Sequence, residues 1–193
     1  MNAVADHDPD WSPDGSQIAW VRHESQFSSG PSDVWIMDVD GSNQHKLTDH
    51  SDQIVAPAWS PDGSQLAYTR NHAIWIIGAD GTGDHRITPR SGYAFGPAWS
   101  PDGGRIAFSG SHRTSGWHVD MMRSDGTGTH IVIDLDSAEP AWSPDGSRLA
   151  FYACGVGDCG LYQSSDTGKH IRELGRRSGF SDIEPDFRTV PTP

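Results

Sequence analysis

The chain has 193 residues, enough for one or two domains with a substantial core. Its 26 acidic against 14 basic residues leave a net charge of −12, which excludes the basic footprint a duplex-binding domain needs. With 22 glycines, 13 prolines and 8 tryptophans at 34% hydrophobic content, it reads as a loop-rich all-β protein rather than a disordered chain.

Residues 1–6 carry neither the basic stretch nor the apolar run of a signal peptide, and no segment reaches the roughly 18 apolar residues of a membrane helix. The first predicted strand holds Pro9-Asp10-Trp11 and runs into the turn Ser12-Pro13-Asp14-Gly15. There proline presets φ, aspartate bonds nearby N–H groups, and glycine takes φ > 0. An apolar strand follows, Gln17-Ile18-Ala19-Trp20, and after a variable loop a third, Val34-Trp35-Ile36-Met37. Asp40-Gly41, a strong hairpin signal, leads to the fourth strand, Lys46-Leu47-Thr48.

The same order then returns three times. Its inner strands are Pro57-Ala58-Trp59, Pro97-Ala98-Trp99 and Pro140-Ala141-Trp142, each followed by Ser-Pro-Asp-Gly. The third strands are Ile74-Trp75-Ile76-Ile77, Val119-Asp120-Met121-Met122 and Leu161-Tyr162. The second turns are Asp80-Gly81, Asp125-Gly126 and Asp166-Thr167-Gly168, and the outer strands end near Thr88, Ile133 and Leu174. A decayed fifth inner strand appears as Pro185-Asp186-Phe187. Trp11, Trp59, Trp99 and Trp142 recur at intervals of 48, 40 and 43 residues, and Phe187 follows 45 after. Periods in the forties built of short strands are the mark of propeller blades.

These residues predict an all-β propeller of four-stranded antiparallel blades, with four whole blades plus one extra inner strand. The blades fall at about 7–48, 55–88, 95–133 and 139–174, with the extra strand at 183–187, in a single domain over 1–193. The pattern Pro-x-Trp-Ser-Pro-Asp-Gly, then Ile/Leu-Ala-aromatic, Trp/Tyr, Asp-Gly and Leu-Thr resembles the WD-like repeat of TolB-type propellers. That resemblance implies the fold more firmly than a function, because the repeat recurs in scaffolds, peptidase propellers and polysaccharide lyases. It implies a periplasmic or extracellular setting. It also departs from TolB, which resembles a six-bladed ring behind a separate N-terminal domain.

Among candidate sites, His45, His85, His130 and His170 recur just after the second turn, one per blade, and so read as repeat residues rather than one metal site. Trp11, Trp59, Trp99 and Trp142 read as packing between blades. Asp120 stands where other blades carry Trp35, Trp75 and Tyr162, which predicts an exposed edge or, failing that, a polar site in place of packing. Cys154 and Cys159, on the predicted hairpin between the second and third strands of the last blade, suit a disulfide or two free thiols. A zinc site is disfavoured, as no second Cys or His pair accompanies them. No Gly-x-Ser-x-Gly elbow and no distinguished carboxylate pair is present, so no enzyme is expected.

The richest cluster precedes the inner strands. Asp8, Ala56, Gly96, Glu139 and Glu184 stand just before each proline, and Asp6, Asp52, Asp134, Asp136 and Asp182 lie in the connectors with Tyr93 and Phe95. In a ring these segments would converge on an acidic channel mouth. Asp8, Asp52, Tyr93, Asp136, Glu139, Asp182 and Glu184 are therefore the expected ligand-binding residues. The expected ligand is a protein or basic peptide, with Ca²⁺ a further option because the ligand set is all oxygen. The alternatives are a non-catalytic propeller of a larger hydrolase or peptidase, and a carbohydrate-active propeller. The surplus inner strand also predicts a homodimer that completes a larger ring.

Overall fold

The computed structural model describes residues 5–23, 30–89, 91–111, 116–154 and 159–175. They form four four-stranded antiparallel sheets. Blade 1 comprises β1 (Ala5–Trp11), β2 (Gln17–His23), β3 (Ser32–Asp38) and β4 (His45–Lys46). Blade 2 comprises β5 (Ile54–Trp59), β6 (Gln65–Arg70), β7 (Ala73–Gly78) and β8 (His85–Arg86). Blade 3 comprises β9 (Tyr93–Trp99), β10 (Arg105–Ser111), β11 (Trp117–Arg123) and β12 (His130–Ile133). Blade 4 comprises β13 (Asp136–Trp142), β14 (Arg148–Cys154), β15 (Cys159–Ser165) and β16 (Arg172–Gly175). In each sheet the strands pair in chain order, as a meander. The predicted strand at 183–187 lies outside the described residues.

Each first turn is a clasp. Ser12 Oγ donates to Asp14 Oδ1 at 2.7 Å and accepts from Gln17 N at 2.9 Å, while Ser16 N donates to Asp14 Oδ1 at 3.0 Å. The same bonds close Ser60–Asp62, Ser100–Asp102 and Ser143–Asp145. The repeated histidines clasp the second turn: His45, His85 and His130 bond through Nδ1 to the carbonyls of Asn43, Gly83 and Gly128. A carbonyl only accepts, so Nδ1 carries the proton in each.

Two compact units result: residues Met1–Arg90 with Ala94–Pro97, and Ser91–Tyr93 with Ala98–Pro193. Within the first, one face of blade 1 (Ala19, Val21, Val34, Ile36, Leu47) packs on one face of blade 2 (Trp59, Leu66, Tyr68, Ile77). Within the second, blade 3 (Ala107, Val119, Met121, Ile133) receives Trp142, Leu149, Phe151 and Ala153 of blade 4 by the same register. Trp59 and Trp142 are each only 7% exposed, as expected of interblade packing. Trp99 is half-buried, and Trp11 is 46% exposed.

Asp120 departs from the exposed edge favoured by the sequence. It is buried beside His118, with His118 Nε2 3.3 Å from its Oδ2. Gly110 makes the room: a Cβ there would lie 2.2 Å from Asp120 Oδ2 and 2.9 Å from His118 Nε2. A polar pair has replaced the aromatic packing of the other blades, which is the second of the two sequence readings.

Candidate functional site

The residue before each inner-strand proline adopts a left-handed conformation, with φ of 51° at Asp8, 53° at Ala56, 58° at Gly96 and 57° at Glu139. The strand register shifts at this point between His7 and Asp10, Val55 and Ala58, and Ala138 and Ala141. The inner strands of blades 1, 2 and 4 thus carry a bulge in mid-strand, just past the end where the connectors enter, and bulges re-aim side chains. The bulge N–H is met by a side chain of the preceding blade. Asp8 Oδ2 accepts from Ala56 N at 2.9 Å, Thr69 Oγ1 from Gly96 N at 3.1 Å, and Ser109 Oγ from Glu139 N at 2.8 Å.

In the first unit this end is largely self-neutralised. Arg22 donates to both carboxylate oxygens of Asp6 at 2.7 and 2.8 Å and lies over the rings of Trp20 and Trp35. The Arg22 hydrogen bond holds the Asp6 carboxyl below its usual range, against the opposing effect of burial. Asp52 accepts from Arg70 at 2.7 Å, and its carboxyl is lowered first by a hydrogen bond from Asn71 and then by Arg70. Besides Ala56 N, Asp8 faces His7 Nδ1 at 3.1 Å. His7 Nε2 stands 2.6 Å from Nε2 of buried His23. Two carboxylates predicted to bind a ligand, Asp8 and Asp52, are thus engaged within the fold, as is Asp6 of the same connector as Asp8.

The same end of this unit holds residues the sequence reading passed over. Asn71 and His72, both with positive φ (48° and 60°), form the tight turn from β6 to β7. Together with Gln53, Val55, Thr69 and Phe95 they line a cavity of about 120 Å³. The signal for them was the short gap between two apolar strands, which placed the turn at the same end as the connectors.

In the second unit Asp134, Asp136 and Glu139 are exposed. Tyr93 and Trp117 are exposed too, at 48% and 40%. Asp136 Oδ1 accepts from Trp117 N at 3.3 Å. Cys154 and Cys159 form a disulfide that joins β14 to β15, and Cys154 is also the register partner of Asp136. The staple therefore sits at the acidic end of blade 4. Among the described residues no three His, Cys, Asp or Glu side chains converge to hold a metal ion. Asp182 and Glu184 lie outside those residues.

The sequence profile of the TolB beta propeller domain matches residues 6–135, two thirds of the chain. The chain belongs to that family. Among curated proteins none matches it in sequence. Solved structures share the TolB propeller fold. A protein described as TolB from Agrobacterium tumefaciens superposes with a TM-score of 0.74 at 24% identity, covering 87% of this chain and 64% of its own. TolB from Acinetobacter baumannii gives 0.74 at 21%, covering 86% and 43%. A puromycin-hydrolyzing peptidase from Mycobacterium tuberculosis gives 0.73 at 15%, covering 92% and 30%. The chain thus spans less than two thirds of each of these relatives. The TolB repeat accounts for the clasped turns and the buried tryptophans.

Proposed function

We propose that this TolB-family chain is a non-catalytic binding module that takes a basic protein or peptide segment at the bulged end of blades 3 and 4. The observation that carries this reading is the exposure of Asp136 and Glu139 together with Tyr93 and Trp117. Carboxylates attract lysine and arginine, and aromatic faces add cation–π contact. Aromatic residues also supply contact area at low conformational cost. The bulge N–H of Glu139 is held by Ser109 Oγ, which fixes its backbone at this exposed position. Ca²⁺ is kept as a second ligand for the same carboxylates. The reading includes self-association, with a second copy extending the blade array.

Titration of a Lys/Arg-rich peptide, followed by the shift in melting temperature, tests the site. Asp136→Asn and Glu139→Gln should each weaken binding several-fold, and Trp117→Ala should weaken it further. The absence of any shift with the peptide or with Ca²⁺ would overturn the reading. One observation favours a second reading: the chain covers 92% of itself but only 30% of the peptidase structure it resembles. A propeller serving a larger hydrolase fits that ratio, and a hydrolase domain encoded next to this segment would establish it.

A further inference from the structure

The cavity at the β6–β7 turn of blade 2 shares no residue with the peptide site of blades 3 and 4, and all of its lining belongs to the first unit. It offers both a hydrogen-bond donor and an acceptor. Thr69, 2% exposed, accepts from Gly96 N through Oγ1 at 3.1 Å, which leaves its own hydroxyl proton to be donated. Asn71 donates its amide to Asp52, which fixes the side chain and leaves the carbonyl oxygen to accept. The exposed Gln53 amide stands at the rim. Val55 and Phe95 form the apolar wall, and the Phe95 ring lies 5.1 Å from that of His72 at 67° to it. Among the described residues no Asp, Glu, Lys or Arg lines the cavity, and Asp52 beside it is held by Arg70 at 2.7 Å.

The repeat does not dictate this rim. The strand registers place Asn71 and His72 where blade 3 carries Ser111 and Trp117 and blade 4 carries Cys154 and Cys159. Both turn residues are left-handed, and glycine would hold the second position without strain. A histidine kept there points to a use for its side chain. Its backbone is pinned as well, because His72 O accepts from Ala94 N at 2.9 Å. We infer that the cavity binds an uncharged sugar. A sugar ring carries hydroxyls, each both donor and acceptor, on a frame of C–H bonds. Thr69 and Asn71 answer the inner hydroxyls, Val55 and Phe95 the apolar frame, and His72 and Gln53 the hydroxyls left at the rim. At about 120 Å³ the cavity takes a single ring, so the ligand is a lone sugar or the end of a chain. A carboxylate-bearing sugar is disfavoured, since it would meet no Lys or Arg in the lining and would lie near Asp52.

The inference does not depend on peptide binding, because the two sites have no residue in common and either can fail alone. Saturation-transfer NMR tests it on the full chain, with glucose, galactose, mannose and N-acetylglucosamine each at about 10 mM, a concentration suited to a weak single-ring site. Transfer to the ring protons of at least one sugar is expected. His72→Gly removes the imidazole and keeps the turn, because glycine takes that φ freely, so its circular dichroism should match the parent. Gln53→Ala alters an exposed side chain and should fold as well. Both variants should lose transfer several-fold, and glucuronate should give less transfer than glucose with the parent. No transfer to any of the four sugars would overturn the inference. Transfer undiminished in either variant, or a preference for glucuronate over glucose, would overturn it as well.

Discussion

Asp14 and Asp145 illustrate how much one residue is asked to do in a Ser-Pro-Asp-Gly turn. The Asp14 carboxylate takes hydrogen bonds from Ser16 N, Ser12 Oγ and Ser16 Oγ, which together hold its pKa down to about 2 from an ordinary 3.8. Asp145 is lowered to about 2 by Ser143 Oγ first, then by the backbone and hydroxyl of Ser147. Asp62 and Asp102 are lowered by the same partners. A depressed folded value means stability that is complete above the unfolded value and lost as pH falls toward the folded one. Urea midpoints should therefore be flat down to about pH 5 and drop progressively between about pH 4 and pH 2. Asp145→Asn should shallow that drop while lowering the midpoint at neutral pH. An unchanged acid limb in this variant would show that the clasp does not govern acid stability. These aspartates were readable from the sequence as turn residues, because proline, aspartate and glycine each act locally there.

Within the blade, the bulge before each inner-strand proline was less readable. Its position is occupied by Asp8, Ala56, Gly96 and Glu139, four residue types with no shared preference. The glycine in one copy was the one hint of a positive φ, since glycine alone takes it without strain. The acceptor for the bulge N–H lies a whole blade upstream, where no local rule reaches. Ser109→Ala tests it: Ser109 is buried, and its loss leaves Glu139 N without this acceptor. The expected cost is about 1–3 kcal/mol by urea denaturation, with Ser109→Thr close to the parent because Thr69 performs the same task. A cost under about 0.5 kcal/mol would remove the bond from any account of stability. Asp120 was legible as an exception to the aromatic slot but not as a buried one, because burial depends on Gly110 across the hairpin and on His118 two residues back on the same strand. The carboxylates of the candidate site show the same limit. Asp6, Asp8, Asp52 and Asp136 look alike in sequence, yet they meet Arg22, Ala56 N, Arg70 and Trp117 N, partners that no local rule supplies.

For the whole molecule, the net charge of −12 acts on the two proposed associations with opposite sign. Two like-charged copies repel, so raising salt should tighten the contact between them, whereas a basic peptide held by Asp136 and Glu139 should bind more weakly. Measuring both dissociation constants between about 50 mM and 500 mM NaCl checks this, since the Debye length shrinks several-fold over that range. Parallel salt trends would show that one of the two associations has been assigned wrongly. The repeat, the blades and the two cysteines were plain from spacing. What covers the outer faces was not, since an open blade face and a closed one have the same sequence pattern. A set of the contacts that join blades shares a direction. Asp8 receives Ala56, Thr69 receives Gly96, Ser109 receives Glu139, and the turn prolines Pro13 and Pro101 receive Gly63 and Gly146. In every case the receiving group is earlier in the chain than the group that needs it. As the polypeptide leaves the ribosome, each of these bulge amides and turn glycines meets a partner that has already been made. For these contacts assembly is vectorial by construction.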